Sequence, residues 1–497
     1  MTARSTGIRQ TPALSLLKTV AFVLGSVLLF VAVAMTAAAV VSAIFAEYRT
    51  AMWIAVSAGI TGSAGYVTRR LVRRPKTITV KQGFATVGLA WFVFSIFGAL
   101  PYLLTGSISG ITDAVFETAS GFTTTGASIL PDPGVLPRGV AFWRAMTQWL
   151  GGMGVIVLGV AILPLLGTGG MQLARAESPG PTPDRLTPRF QETAKRLWLI
   201  YAVITLIEIV LLTMGDMSGF QAVIHSLTTM STGGFGTEPD SISGFSAYTK
   251  WVITFFMFVA GVSFALHFRA WNRPVEYARN SEFRLYAFIV VAATVVVAGG
   301  LLADFSTSDA ITDAAFNTVS LTTTTGYASS DFGLWRPALQ IMVVGLMFLG
   351  GMAGSTAGGM KTFRIGVLSK AAYADLRRLV HPRGVFITHF GRQKVTEPVI
   401  EAVQSFFLFY MFLFMTATFG LAFIDANLSE GLDLVTATSA VAASLGNIGP
   451  GLGDVGPMAN YAHLPQLAKW MLASLMIVGR LEIFPVLVLF TRDLWRR

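Results

Sequence analysis

The chain has 497 residues, 53% hydrophobic and 12% charged, with a formal net charge of +10 and a mean hydropathy of +0.64. Its apolar residues gather in runs of about 20, which excludes a soluble domain and indicates helices that cross a bilayer. The absence of cysteine excludes disulfides, thiol chemistry and Cys-based metal sites.

Arg4, Arg9 and Lys18 mark the start of an apolar run from about Leu14 to Phe45. It is too long for a signal-peptide core and has no clean cleavage site, so it reads as a retained first helix. In chain order the apolar segments fall at 14–46, 50–68, 83–105, 140–166, 195–215, 247–269, 283–303, 336–366, 401–424 and 466–490, ten predicted spans. The stretches between them alternate in charge. Those at 1–18, 69–82, 171–196, 269–284, 361–400 and 492–497 hold 29 of the 36 Lys and Arg. The others collect acids such as Asp113, Glu117, Asp216, Asp313 and Asp433. The positive-inside rule then puts both termini in the cytoplasm and accounts for the basic balance with no nucleic-acid partner.

Four short segments between spans 3 and 4, 5 and 6, 7 and 8, and 9 and 10 resemble one another. They start at Phe116, Ile224, Phe316 and Ser439, and each carries a glycine ten residues on, at Gly126, Gly234, Gly326 and Gly449. Thr112 to Gly126 and Thr312 to Gly326 match at ten of fifteen positions. Each is preceded by a stretch too short to span, starting near Asp113, Phe220, Asp309 or Leu432, which reads as a re-entrant half-helix. Asp113 and Asp313 are expected at the starts of theirs, and the negative dipole ends then point inward. Four such turns can surround an axis with backbone carbonyls, a ring that replaces the hydration shell of a small cation. Glycine suits these positions because facing successive carbonyls to one axis requires φ > 0.

Two features lie in the inner half. Residues 350–360 hold five glycines within an apolar segment too long for one straight helix, which predicts an intramembrane loop over 349–360. Close packing through small residues is the alternative. The match of Gly354 to Thr362 with a phosphate loop fails, because Met360 separates Gly359 from Lys361 and no strand precedes it. Arg480 lies within span 10, where an intramembrane charge is functional by default. An ion pair with Glu482 or Glu208 is the competing reading, and no role is assigned to Glu208. The five histidines lack metal-ligand spacing, and His225 reads as packing. Gly151, Gly152 and Gly154 read as a close-packing surface, and Asp184 to Pro188 as linker.

The repeats resemble the TrkH/TrkG branch of the Trk/Ktr/HKT superfamily of potassium transporters, along with GGMG at Gly151, SLGNIGPG at Ser444 and GRLEIFP at Gly479. The resemblance spans nearly the whole chain. It implies an all-α integral membrane protein with an N-terminal hairpin and four helix–half-helix–helix repeats around a central pore. The expected division is 1–82 for the hairpin and 83–170, 195–275, 283–375 and 400–491 for the repeats. Carried over by position, the filter strands are Thr124-Thr125-Gly126, Thr232-Gly233-Gly234, Thr324-Thr325-Gly326 and Asn447-Ile448-Gly449, with K⁺ as the transported ion. Repeat four departs from the pattern by lacking the Thr-Thr pair. The resemblance further implies a gate in the loop, involving Gly350, Gly351, Gly354, Gly358 and Gly359, with Arg480 beneath the filter.

It also implies a homodimer in the bacterial inner membrane, seated on a cytoplasmic ring of TrkA-like nucleotide-binding regulatory subunits. The chain shows no nucleotide site of its own and implies no organic cofactor. The basic stretch 361–400 offers a docking surface for that ring or for anionic lipid. A symporter coupling K⁺ or Na⁺ to H⁺ or Na⁺ is the rival function, with Glu208, Glu482 and His225 its few titratable candidates. An enzyme, here an intramembrane hydrolase, lacks paired aspartates, HExxH and Gly-x-Ser-x-Gly motifs at suitable depth. K⁺ against Na⁺ selectivity is left open.

Overall fold

A computed structural model describes residues 12–72, 79–162, 188–391, 393–428 and 431–492. The proposed linker at 184–187 and most of the basic stretch 171–196 lie outside these residues. The chain is almost entirely helical, as its long apolar runs demand. α1 (Pro12–Ile44) and α2 (Tyr48–Leu71) form an antiparallel hairpin. Its two backbones approach so closely at Gly25 and Gly65 that a Cβ on either would lie 2.8 Å from the other's carbonyl oxygen. α3 (Val80–Gly98) opens with a capping box between Thr79 and Gln82 and continues as α4 (Leu100–Thr105).

Four short helices then alternate with long ones. α5 (Ile111–Phe122) lies between α4 and α6 (Arg138–Ile162). α7 (Pro188–Thr213) leads to α8 (Gly219–Met230), followed by α9 (Ala247–Ala260), α10 (Phe264–Ala270) and the short α11 (Val275–Arg279). α12 (Ser281–Leu301) leads to α13 (Thr307–Thr322) and α14 (Pro337–Met347). A parallel bridge of β1 (Leu349–Gly350) with β2 (Met360–Lys361) precedes α15 (Thr362–Val380). A small hairpin of β3 (His389–Phe390) and β4 (Gln393–Lys394) precedes α16 (Glu397–Leu428). α17 (Leu434–Gly446), α18 (Gln466–Arg480) and α19 (Phe484–Leu487) complete the order.

Among the described residues, five helices are long and apolar enough to cross a membrane, and two bent pairs raise this to seven if each counts as one span. Those pairs fall in the predicted spans 247–269 and 466–490. The first bends by 97° between α9 and α10, the second by 114° between α18 and α19. In the second, Glu482 and Ile483 both have positive φ and Pro485 follows, a residue that cannot sit inside a helix without losing a hydrogen bond. The predicted loop in span 8 is present: α14 stops at Met347 and helix resumes at Thr362.

Candidate functional site

α5, α8, α13 and α17 are the four predicted half-helices, and all four end alike. The amide of Thr125 bonds the Ser120 carbonyl at 2.9 Å, and those of Gly233, Thr325 and Ile448 bond Thr228, Ser320 and Ala443 at 2.8 Å. Each is a six-to-one helix stop, which needs a left-handed residue just before the donor. That residue is Thr124, Thr232, Thr324 or Asn447, with φ of 53, 53, 57 and 54°. A β-branched residue held there costs on the order of 1–3 kcal/mol. Sequence reasoning put positive φ on the glycines alone; they have it too, at Gly126 (85°), Gly234 (75°), Gly326 (81°) and Gly449 (106°).

The second reason for glycine is visible only in the fold. A Cβ at Gly126 would overlap the carbonyl oxygen of Gly233, one at Gly234 that of Thr325, and one at Gly326 that of Ile448. A Cβ at Gly449 would lie 2.7 Å from the carbonyl oxygen of Thr125, which closes the circuit. The four strands therefore meet in cyclic order, each glycine against the next strand's carbonyl. Thr125 and Thr325 are buttressed from behind by Thr123 and Thr323, hydroxyl to hydroxyl at 2.7 and 2.8 Å. Asn447 spans the closing joint, donating to the Thr125 hydroxyl at 3.0 Å and the Met476 carbonyl at 2.8 Å.

Polar struts hold the limb after each glycine. Nine residues before Gly126, Gly234 and Gly326 stand Glu117, His225 and Asn317, all fully buried. Glu117 accepts from Ser128 and the Ile129 amide at 3.0 Å, and Asn317 donates to Ser329 at 3.1 Å. His225 bonds Tyr327 at 3.0 Å and Thr237 at 3.2 Å. The fourth position is Ala440, and its neighbour Ser439 accepts from the Leu452 amide at 2.8 Å instead. Glu117 is thus not an outer-loop acid. It pairs at 2.7 Å with Arg144, whose guanidinium lies 3.5 Å from the Phe235 ring centroid. Asp313 also departs from expectation: it lies in the second turn of α13, and Asp309, with the Ser306 cap, takes the helix start. Asp113 does lie in the first turn of α5, paired with Lys469 at 2.6 Å.

Arg144→Met is expected to destabilise the protein by about 3–5 kcal/mol, because it strands a buried carboxylate. Thermal unfolding in detergent checks this, and adding Glu117→Gln should recover part of the loss.

Beneath the ring runs the loop from Gly351 to Gly359. Gly354 and Gly359 have positive φ, and a Cβ on Gly350, Gly351 or Gly358 would crowd a backbone carbonyl. The Gly358 amide donates to the Thr324 hydroxyl at 2.6 Å, joining the loop to the third strand. The Thr356 hydroxyl donates to the Met230 carbonyl at 3.1 Å, at the end of the second half-helix. Arg480, 4% exposed, donates from Nη1 to the Thr356 carbonyl at 2.7 Å. Its Nε and Nη2 find no acceptor among the described residues. Glu482 pairs with Arg364, not Arg480, and Glu208 lies buried beside Thr229. The Lys361 ammonium bonds the Ala357 carbonyl of its own loop. Gly151 lets α6 approach the Phe122 carbonyl and Gly152 the Ser231 backbone, whereas Gly154 only touches the Trp91 ring. Among the described residues no group of three or more His, Asp or Glu is placed to hold a metal ion.

The arrangement can present backbone oxygens to a small cation from four sides, over a constricted loop with a cation beside it. The chain is similar to known proteins along most of its length. The TrkH family model, described as a cation transport protein, matches residues 51–496. The Trk system potassium uptake protein TrkH of Halomonas elongata is 40% identical over 487 residues, covering 96% of this chain and 98% of that one. The protein of the same name from Escherichia coli K12 is 42% identical, covering 84% of this chain and 86% of its own. The crystal structure of the potassium transporter TrkH from Vibrio parahaemolyticus matches with a TM-score of 0.88 at 36% identity, over 97% of this chain and 100% of that one.

Proposed function

We propose, for a chain that belongs to the TrkH family of cation transport proteins, that it takes up potassium by passive, channel-like permeation. It is a multi-pass membrane protein and not an enzyme. The observation that carries the reading is the cyclic order of the four strands: Gly126, Gly234, Gly326 and Gly449 each abut the next strand's carbonyl. Backbone oxygens of Thr124 to Gly126, Thr232 to Gly234, Thr324 to Gly326 and Asn447 to Gly449 form the filter. The loop 349–360 is the gate, with Gly350, Gly351, Gly354, Gly358 and Gly359 giving it room to rearrange and Arg480 holding it under the filter. The units are the hairpin 1–82 and the repeats 83–170, 195–275, 283–375 and 400–491.

The protein works as a homodimer in the bacterial inner membrane, both termini cytoplasmic, regulated by a nucleotide-binding ring docked on its basic cytoplasmic stretches. The bias of Lys and Arg toward alternate loops supports that orientation. Coupled symport has little to work with. Of its three candidate residues, His225 is held on both ring nitrogens and Glu482 is paired, which leaves Glu208.

Rb⁺ influx into proteoliposomes driven only by an outward K⁺ gradient tests the reading. Uptake without any H⁺ or Na⁺ gradient is expected. Uptake that appears only when such a gradient is imposed would replace the passive reading with a coupled one.

A further inference from the structure

Hydrogen bonding sets strands two and four of the filter apart from strands one and three. Gln148 of α6 is fully buried, and its side-chain amide donates to the Gly233 carbonyl at 2.7 Å. Its carbonyl accepts from the Phe235 amide at 3.2 Å. It fills the space a side chain at Gly233 would need, the space that threonine takes in the first and third strands. Across the ring, the buried Tyr461 hydroxyl donates to the Gly449 carbonyl at 2.8 Å. Among the described residues no donor reaches the carbonyls of Thr124, Thr125, Gly126, Thr324, Thr325 or Gly326. Strands two and four are diagonal partners in the cyclic order, and the restrained carbonyls belong to successive layers of the ring, Gly233 level with Ile448 and Gly449 level with Gly234.

We propose that Gln148 and Tyr461 are specificity-determining positioning residues, which hold the Gly233 and Gly449 carbonyls and so set the ring's ligand field. The inference rests on the filter reading above. A carbonyl that already gives a lone pair to a buried donor is fixed in direction and offers a cation a weaker, less mobile dipole. Selectivity depends on the number, field and freedom of such dipoles. Freeing either carbonyl lets its layer of the ring contract around a smaller ion. Loss of either donor therefore shifts preference from K⁺ toward Na⁺.

Tyr461→Phe is the cleanest test, because it deletes one oxygen and keeps the ring against Phe116. Gln148→Met removes the second donor at similar volume. The K⁺/Na⁺ permeability ratio, from reversal potentials of the reconstituted full chain, is expected to fall about fivefold in each variant, the scale of one hydrogen bond. Tyr410→Phe, whose buried hydroxyl makes no hydrogen bond to a filter strand, serves as control and should leave the ratio unchanged. If a variant carries no current, the K⁺ and Na⁺ concentrations that half-maximally raise its unfolding temperature give the ratio of binding affinities, which is expected to fall likewise. A ratio unchanged in both variants, with K⁺ current intact in the wild type, would overturn this inference alone. Absence of K⁺ current in the wild type would overturn the functional reading and this inference with it.

Discussion

Gly326→Ala is expected to abolish K⁺ uptake while the protein still folds and inserts. Two costs act together at this residue. Its φ of 81° is left-handed, which an added β-carbon penalises by roughly 1–2 kcal/mol. That alone would be tolerable. The larger cost is that the new methyl would overlap the Ile448 carbonyl oxygen, a backbone atom of the neighbouring strand. Ile448 cannot retreat, because its amide is tied to Ala443 at 2.8 Å and Asn447 beside it is pinned to Thr125 and Met476. The strands must part, and the carbonyl geometry goes with them. The surrounding helices make no use of this glycine, so a monodisperse detergent-solubilised protein should remain. Gly219→Ala, at a half-helix start with nothing within 4 Å of its added carbon, is the matched control and should transport normally. Rb⁺ uptake normalised to purified protein decides the matter; wild-type transport by Gly326→Ala would sink the filter assignment.

Arg480→Ala should have the opposite effect and raise flux. The guanidinium makes one bond to the loop, and two of its donors face no acceptor among the described residues, so its charge is poorly compensated. Glu482 offsets it only through space, its direct ion pair being with Arg364. A positive charge below a ring of carbonyls opposes cation passage. Removing a barrier of about 1.4 kcal/mol corresponds to roughly a tenfold gain in rate. Arg480→Lys separates the two contributions, since lysine keeps the charge but not the planar fork. Flux that stays low in the lysine variant assigns the barrier to charge, and flux that rises assigns it to the tether on Thr356. A loss of flux in Arg480→Ala would overturn the gating role.

The half-helices were legible because their signals are local. Short apolar stretches with a glycine ten residues on predicted starts near 113, 220, 309 and 432, and helices begin at Ile111, Gly219, Thr307 and Leu434. The loop over 349–360 was legible for the same reason, since five glycines in eleven residues defeat a helix wherever they occur. The break after Arg480 also had a local signal, Pro485, which the hydrophobic run concealed. The partners were not legible. Glu117 finds Arg144 27 residues on, Gln148 reaches Gly233 over 85 residues, and Arg480 reaches Thr356 over 124. A buried acid reads like a loop acid until the fold supplies its counter-charge. Glycine at 126, 234 and 326 was assigned for its φ, but its neighbour across the ring has no trace in the local sequence.

The joint between the fourth strand and the first bears on how such a protein is made. Asn447 grips Thr125 across 322 residues, so the strand that closes the circle emerges from the ribosome long after the one it closes upon. Until then the first three strands have an open side, and no complete set of oxygens exists to strip an ion of its water. A half-synthesised chain in the bilayer is therefore not a leak selective for potassium. If the ring is the filter, as proposed, conduction begins with the final docking event, and mutations at this seam, Asn447 first among them, should delay maturation more than they weaken the finished protein.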